Sequence, residues 1–271
     1  MLLVCAKKVD SVKIKLRNIL FMIVAMVVLI AVVLLYFLVF VNGSSTAAVG
    51  NNWFSIKGAS PIINNGKLWV NFAGIEGCEY CAVERYAFFD ALSNFGNWTY
   101  YGGSVTLNSL PVDNYSSLPQ QNTLFYHAYE GDWTLNFLNP HLRYSSPYVN
   151  FTSEELYNDQ YPNPIPLQQF TPLENSYTSR YDPQGAVPFS LIGGNFFEVG
   201  SGSSLVSGGQ PIIFAPNGTG YTPAYIISQF NTTGSSINKG ITEETGYITA
   251  IICKDIGNSA PVCSSTALPK V

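Results

Sequence analysis

An α/β domain carried behind a single membrane span is the architecture the sequence predicts, and three observations predict it. An apolar run without a charge occupies residues 19–41. A strand-forming run through Ile75 leads at once into Cys78-Glu79-Tyr80-Cys81 and a helically spaced segment. Two β-rich stretches meet at Gly193-Gly194. Strand and helix periodicities thus alternate along one chain, the pattern of a mixed α/β fold. With 271 residues, 47% hydrophobic and 14% aromatic, the chain can bury a sizeable core. Only 11% is charged, and no Lys/Arg cluster lies beyond the N-terminus, so the basic footprint of a nucleic-acid binder is missing.

Residues 19–41 form a helix long enough to cross a hydrocarbon core of roughly 30 Å, and longer than the apolar core of a cleaved signal peptide. Lys7, Lys8, Lys13, Lys15 and Arg17 precede it, and the next basic residue is Lys57. The positive-inside rule therefore assigns residues 1–18 to the cytosol and the rest of the chain to the exterior, a single-pass anchor in the cell membrane. Five of the thirteen bases and one of the seventeen acids lie in residues 1–18. Eight bases against sixteen acids remain, so the exterior part is acidic, near −8. Residues 42–52 (NGSSTAAVGNN) read as a flexible spacer, and residues 53–271 as the exterior domain.

Within that domain, Leu68, Trp69, Val70 and Phe72 lie in a short strand-forming run bounded by Gly66 and Gly77, a candidate central strand. Ala82, Tyr86, Phe89, Leu92 and Phe95 recur at helical spacing, with Glu84, Arg85, Asp90 and Asn94 between them as a polar face and Gly96 as a stop. Tyr100, Val105 and Leu107 read as the next strand, which would close a βαβ-type unit. Residues 108–174 carry eight prolines and read as an irregular or β-containing insertion, with a short helix from Pro172 to Tyr181. Residues 187–192 and 195–199 read as two strands joined by a two-residue Gly-Gly turn, and residues 221–230 and 241–253 as helical.

Two cysteines with two residues between them, at a strand-to-helix junction, are a thiol redox motif in form. The helix N-terminus favours thiolate there. Cys253 and Cys263 bracket a turn-rich segment and read as a structural disulfide in an exterior domain. The nine-residue gap between them is wrong for the second half of a four-thiolate zinc site, so no metal is assigned. Cys5 falls on the cytosolic side as a free thiol. His127 and His141 have no partners at catalytic spacing, and no phosphate-cradling or dinucleotide motif implies a cofactor. N-x-S/T sequons stand at Asn42, Asn97, Asn114, Asn150, Asn217 and Asn231, some of which would carry glycan on an exterior domain.

The blocks GIEGCEYCAVERYAFFDALSNFG, SSPYVNF, VPFSLIGGNFF and ITAIICKDIGNSAPVC resemble those of an archaeal membrane-anchored family, the domain of unknown function 929, over most of residues 66–263. The order of elements resembles a thioredoxin-like fold with an insertion before its cis-proline loop. That resemblance implies that Cys78 is the exposed nucleophile, Cys81 the buried resolving thiol and Pro188 a cis-proline facing the sulfurs. Val187 would then offer its backbone to a bound peptide, and Tyr80 is a further substrate-contact candidate. The implied activity is thiol–disulfide exchange on secreted or surface proteins, with protein thiols or disulfides as partners. The alternative is a non-catalytic binding or structural ectodomain in which both cysteine pairs serve stability. Glu79 departs from the Gly or Pro common in such motifs, and with Glu76 and Glu84 it opposes thiolate formation.

Overall fold

The computed structural model describes residues 45–76, 78–109, 125–127, 133–135, 137, 141–157, 165–216 and 220–271. The chain opens with a hairpin, β1 (Thr46–Gly50) and β2 (Trp53–Ile56). Its two-residue loop has positive φ at both Asn51 and Asn52, 49° and 69°, the twist a tight hairpin favours. Short β3 (Ile63–Asn64) leads into β4 (Lys67–Gly74), and α1 (Glu79–Ser93) follows. Next come β5 (Asn97–Tyr100), β6 (Gly103–Val105), β7 (Phe125–His127), β8 (Trp133–Leu135), β9 (Leu142–Ser145) and β10 (Val149–Glu155). After α2 (Pro172–Tyr181) stand β11 (Phe189–Ile192) and β12 (Phe196–Val199). The small pair β13 (Val206–Ser207) and β14 (Gln210–Pro211) precedes α3 (Pro223–Phe230) and α4 (Ser236–Asp255).

The expected α/β class is what the chain adopts. The main sheet has the order β1-β2-β12-β11-β4-β10, with β3 also pairing β4. β10 runs parallel to β4, while β11 runs antiparallel to β4 and β12 antiparallel to β11. Side chains on a strand alternate between faces, so β4 feeds two cores. Leu68, Val70 and Phe72 join a large cluster with Tyr86, Phe88 and Leu92 of α1, Ile226 of α3, and Ile241, Ile248 and Ile252 of α4. Trp69 and Ala73 join a smaller one with Phe189, Leu191 and Phe197, against which Tyr177 and Tyr181 of α2 pack. A central strand buried on both faces explains the near-continuous apolar run of β4.

Local chemistry sets the helix ends. Thr171 caps α2 with a reciprocal Glu174 capping box and Pro172 at its start. Ser235 caps α4, its hydroxyl accepting from Asn238 N–H at 2.9 Å. Gly193 and Gly194 both have positive φ in the β11–β12 turn. A side chain on Gly193 would also strike Asp255.

Several expectations need correction. The strand read after α1 is instead the hairpin β5–β6, in a separate three-stranded sheet with β9, and Leu107 lies beyond it. The parallel partner of β4 is β10, inside the segment expected as an insertion. The spacer read over 42–52 contributes β1, an edge strand paired with β2. The β11–β12 turn has three residues, since Ile192 pairs with Phe196. The polar face expected on α1 is absent at Glu84 and Arg85, both fully buried. The membrane span read at 19–41, its cytosolic tail 1–18 and Cys5 lie outside the described residues, as do the sequons at Asn42, Asn114 and Asn217. Among the described residues no helix is long and apolar enough to cross a membrane. Asn97, Asn150 and Asn231 are exposed.

Candidate functional site

Register brings the site together. Phe189 pairs with Ala73, so the two residues before β11 lie beside the C-terminal end of β4, from which the chain passes through Ile75 and Glu76 into α1. The Val187–Pro188 peptide is cis. Cys78 is the N-cap of α1, and its sulfur accepts the Cys81 N–H at 3.2 Å. On its other side the Cys78 thiol faces the Val187 carbonyl oxygen at 3.9 Å. Cys78 is partly exposed and Cys81 fully buried, and both are free thiols.

The two sulfurs differ in electrostatics as they do in access. The Cys81 thiol, by hydrogen bonding to Cys78, does most to hold the Cys78 thiol below the ordinary thiol pKa. Burial opposes that shift, while the Cys81 N–H and the Arg85 guanidinium assist it, and Glu79 opposes it least. Burial first, then the Cys78 sulfur, push the Cys81 thiol well up. The arrangement thus favours thiolate at Cys78, on the helix N-terminus, and disfavours it at Cys81.

Arg85 is the nearby cation, and its place is tightly built. It pairs with Glu155 at the end of β10, Nε donating to Oε1 at 2.8 Å and Nη2 to Oε2, and Nη2 also donates to the Ile75 carbonyl at 2.9 Å. The pair is wholly buried. A Cβ at Gly74 would lie 3.0 Å from Arg85 Nη2, so glycine at the end of β4 leaves room for the guanidinium. Glu84 does not face the sulfurs with a charge: burial pushes it up to about 8, and it turns toward Glu198 and Glu244.

Of the expected site residues, Cys78, Cys81, Val187 and Pro188 converge. Tyr80 is engaged elsewhere, its hydroxyl donating to the Gly209 carbonyl at 2.7 Å while its own carbonyl accepts from Ser201 Oγ at 2.7 Å. It latches the β13–β14 hairpin to the start of α1. Beside Val187 opens a cavity of about 200 Å³ lined by Leu156, Phe170, Thr178, Asp182 and Ala186. Cys253 and Cys263 are joined in a disulfide with their Cα atoms 5.4 Å apart, tying the end of α4 to the C-terminal tail. His141 stacks on Tyr101, and the side chain of His127 lies outside the described residues. Sequence reasoning missed the Arg85–Glu155 pair and the buried carboxyls Glu84, Glu198 and Glu244. The available signal was an acid in the strand Phe196-Phe197-Glu198-Val199, which otherwise reads as fully apolar.

Neither a curated protein nor a solved structure matches the chain. The family model described as Domain of unknown function (DUF929) matches residues 56–254, from the end of β2 to the last turn of α4 and with every element of the Cys78 site inside it, and the chain belongs to that family.

Proposed function

We propose that this protein is a membrane-anchored thiol–disulfide oxidoreductase of thioredoxin-like fold, acting outside the cell on secreted or surface proteins. The observation that carries this reading is the Cys78 sulfur, capping α1 and lying 3.9 Å from the carbonyl that precedes the cis-proline. A strand, a cysteine-capped helix, a parallel strand and an antiparallel hairpin opened by that proline support the fold assignment. The uncharged run 19–41 behind five basic residues supports the anchor.

In the reducing direction the Cys78 thiolate attacks one sulfur of a partner disulfide. The partner S–S bond breaks, its second sulfur leaves as thiolate and takes a proton, and a mixed disulfide forms. Cys81 then loses its proton and attacks Cys78 Sγ, releasing the partner as a dithiol and leaving Cys78–Cys81 oxidised. Two electrons have passed to the partner, and the reverse sequence installs a disulfide. An extended segment would lie along the Val187 backbone and place a side chain in the adjoining cavity.

Trapping tests this directly. A Cys81→Ser chain is expected to accumulate mixed disulfides through Cys78, visible as reducible higher-mass species, and the doubly substituted Cys78→Ser, Cys81→Ser chain to show none. A Cys81→Ser chain that forms no such species, with Cys78 refractory to alkylation after mild reduction, would remove the enzymatic reading.

A further inference from the structure

Three fully buried glutamates meet between α1, β12 and α4. One carboxylate oxygen each of Glu84, Glu198 and Glu244 lies within 4.8 Å of the other two. Burying like charges together costs several kcal/mol unless protons or a cation compensate. Glu244 is anchored by protein donors, with Trp53 Nε1–H donating to Oε1 at 2.7 Å and Asn51 Nδ2 to Oε2. The Asn51 amide is itself oriented by the Ser204 N–H, which donates to its Oδ1 at 2.7 Å. Glu84 Oε2 accepts the Gly202 N–H at 3.1 Å. Gly202 cannot be replaced here, because a Cβ would fall 1.9 Å from Glu244 Oε2.

The remaining oxygens are the telling ones. Both oxygens of Glu198 and Oε1 of Glu84 are buried and meet no donor from outside the three carboxyls, Glu84 and Glu198 sharing a hydrogen bond only with each other. None of the three carboxylates forms an ion pair among the described residues, and the guanidinium of Arg85, although one residue from Glu84, is committed to Glu155. The surrounding protein thus fixes Glu244 and one oxygen of Glu84, and leaves Glu198 and the other Glu84 oxygen to their carboxyl neighbours.

We propose that Glu84, Glu198 and Glu244 hold a hard divalent cation of the calcium class, clamping α1, β12 and α4 together. An all-oxygen, all-carboxylate donor set excludes the softer metals that favour sulfur or imidazole. Calcium, at roughly 2.3–2.6 Å from each oxygen, reaches three atoms that lie up to 4.8 Å apart and accepts mono- or bidentate carboxylates without a water shell. Magnesium, at roughly 2.0–2.1 Å, would need the three to close in and retains its waters. The site is independent of the cysteines and stands or falls without them.

The full-length chain, purified in detergent, is stripped with EDTA, desalted and titrated with Ca2+ or Mg2+, with metal content and melting temperature as readouts. The expected result is one calcium per chain and a melting temperature raised by about 5 °C or more at millimolar Ca2+. Glu198→Gln is expected to lose both effects, while Glu243→Gln, on the exposed side of α4, keeps them. Should Glu198→Gln fail to fold, the wild-type comparison with and without chelator still decides. No bound ion with a melting curve indifferent to chelator and Ca2+ would overturn the proposal and leave protons as the compensating charge. A response to Mg2+ alone, or equal loss in Glu243→Gln, would overturn it as well.

Discussion

The protein has two cysteine pairs at opposite kinds of helix end, and the contrast shows how a helix end and burial set the state of a sulfur. Cys78 caps the N-terminus of α1, where the Cys81 N–H points at the sulfur, and it is partly exposed. Cys253 lies two residues before the end of α4, where the dipole is negative and disfavours thiolate, and it is buried and bonded to Cys263. The first pair spans one turn of helix and constrains almost no chain. The second closes a segment ten residues apart in sequence, which removes freedom from the unfolded state. On the proposed function, the same element is thus arranged once for chemistry and once for stability.

Separating those two roles is the largest effect available. Replacing both Cys253 and Cys263 with Ala is expected to lower stability by about 3 kcal/mol in a denaturant titration. Cys78 alkylation and Cys81→Ser trapping should persist in that background under native conditions. Loss of trapping there, with the fold intact by circular dichroism, would show that the C-terminal pair takes part in exchange and dissolve the contrast.

Next in size is the dependence of Cys78 on its neighbour. Cys78 is held below the ordinary thiol range chiefly by the Cys81 thiol, so thiolate persists as pH falls and disappears once pH drops through the lowered value. Removing that donor with Cys81→Ala is expected to move the alkylation profile of Cys78 to higher pH and slow its reaction at pH 7 by about tenfold, the worth of a hydrogen bond to a charged group. An unchanged profile would mean that the helix N-terminus alone sets the reactivity.

The parts of this arrangement that were legible in the sequence are those with local causes. β4 announces itself by an apolar strand-forming run between glycines, α1 by its period, and the β11–β12 hairpin by its glycine pair. The helix at Pro172–Tyr181 is read from Pro at its start. β10 was hidden because Val149-Asn150-Phe151-Thr152-Ser153-Glu154-Glu155 is polar in its second half, and only pairing with β4, some eighty residues earlier, makes it the outer strand of the main sheet. β1 was hidden because Thr46-Ala47-Ala48 carries little side chain to bury, and its register comes from the Asn51-Asn52 turn. Glu84 and Arg85 looked like a solvated face because each meets its partner from far along the chain, Gly202 and Glu155. Pairing at that range leaves no periodic trace.

Glu79 supplies the smallest and sharpest test of the contrast. Read from sequence, an acid inside the motif is the main obstacle to a thiolate. In the structure it is the weakest of the influences on Cys78, behind the Cys81 thiol, burial, the Cys81 N–H and Arg85. The side chain is partly exposed, so water and salt screen its charge. Glu79→Gln is therefore expected to speed Cys78 alkylation at pH 7 by less than about threefold, the scale of a solvent-exposed charge pair. The gain should shrink further in 0.5 M salt. An acceleration of more than tenfold would place Glu79, rather than the helix end and its buried thiol, in command of the site.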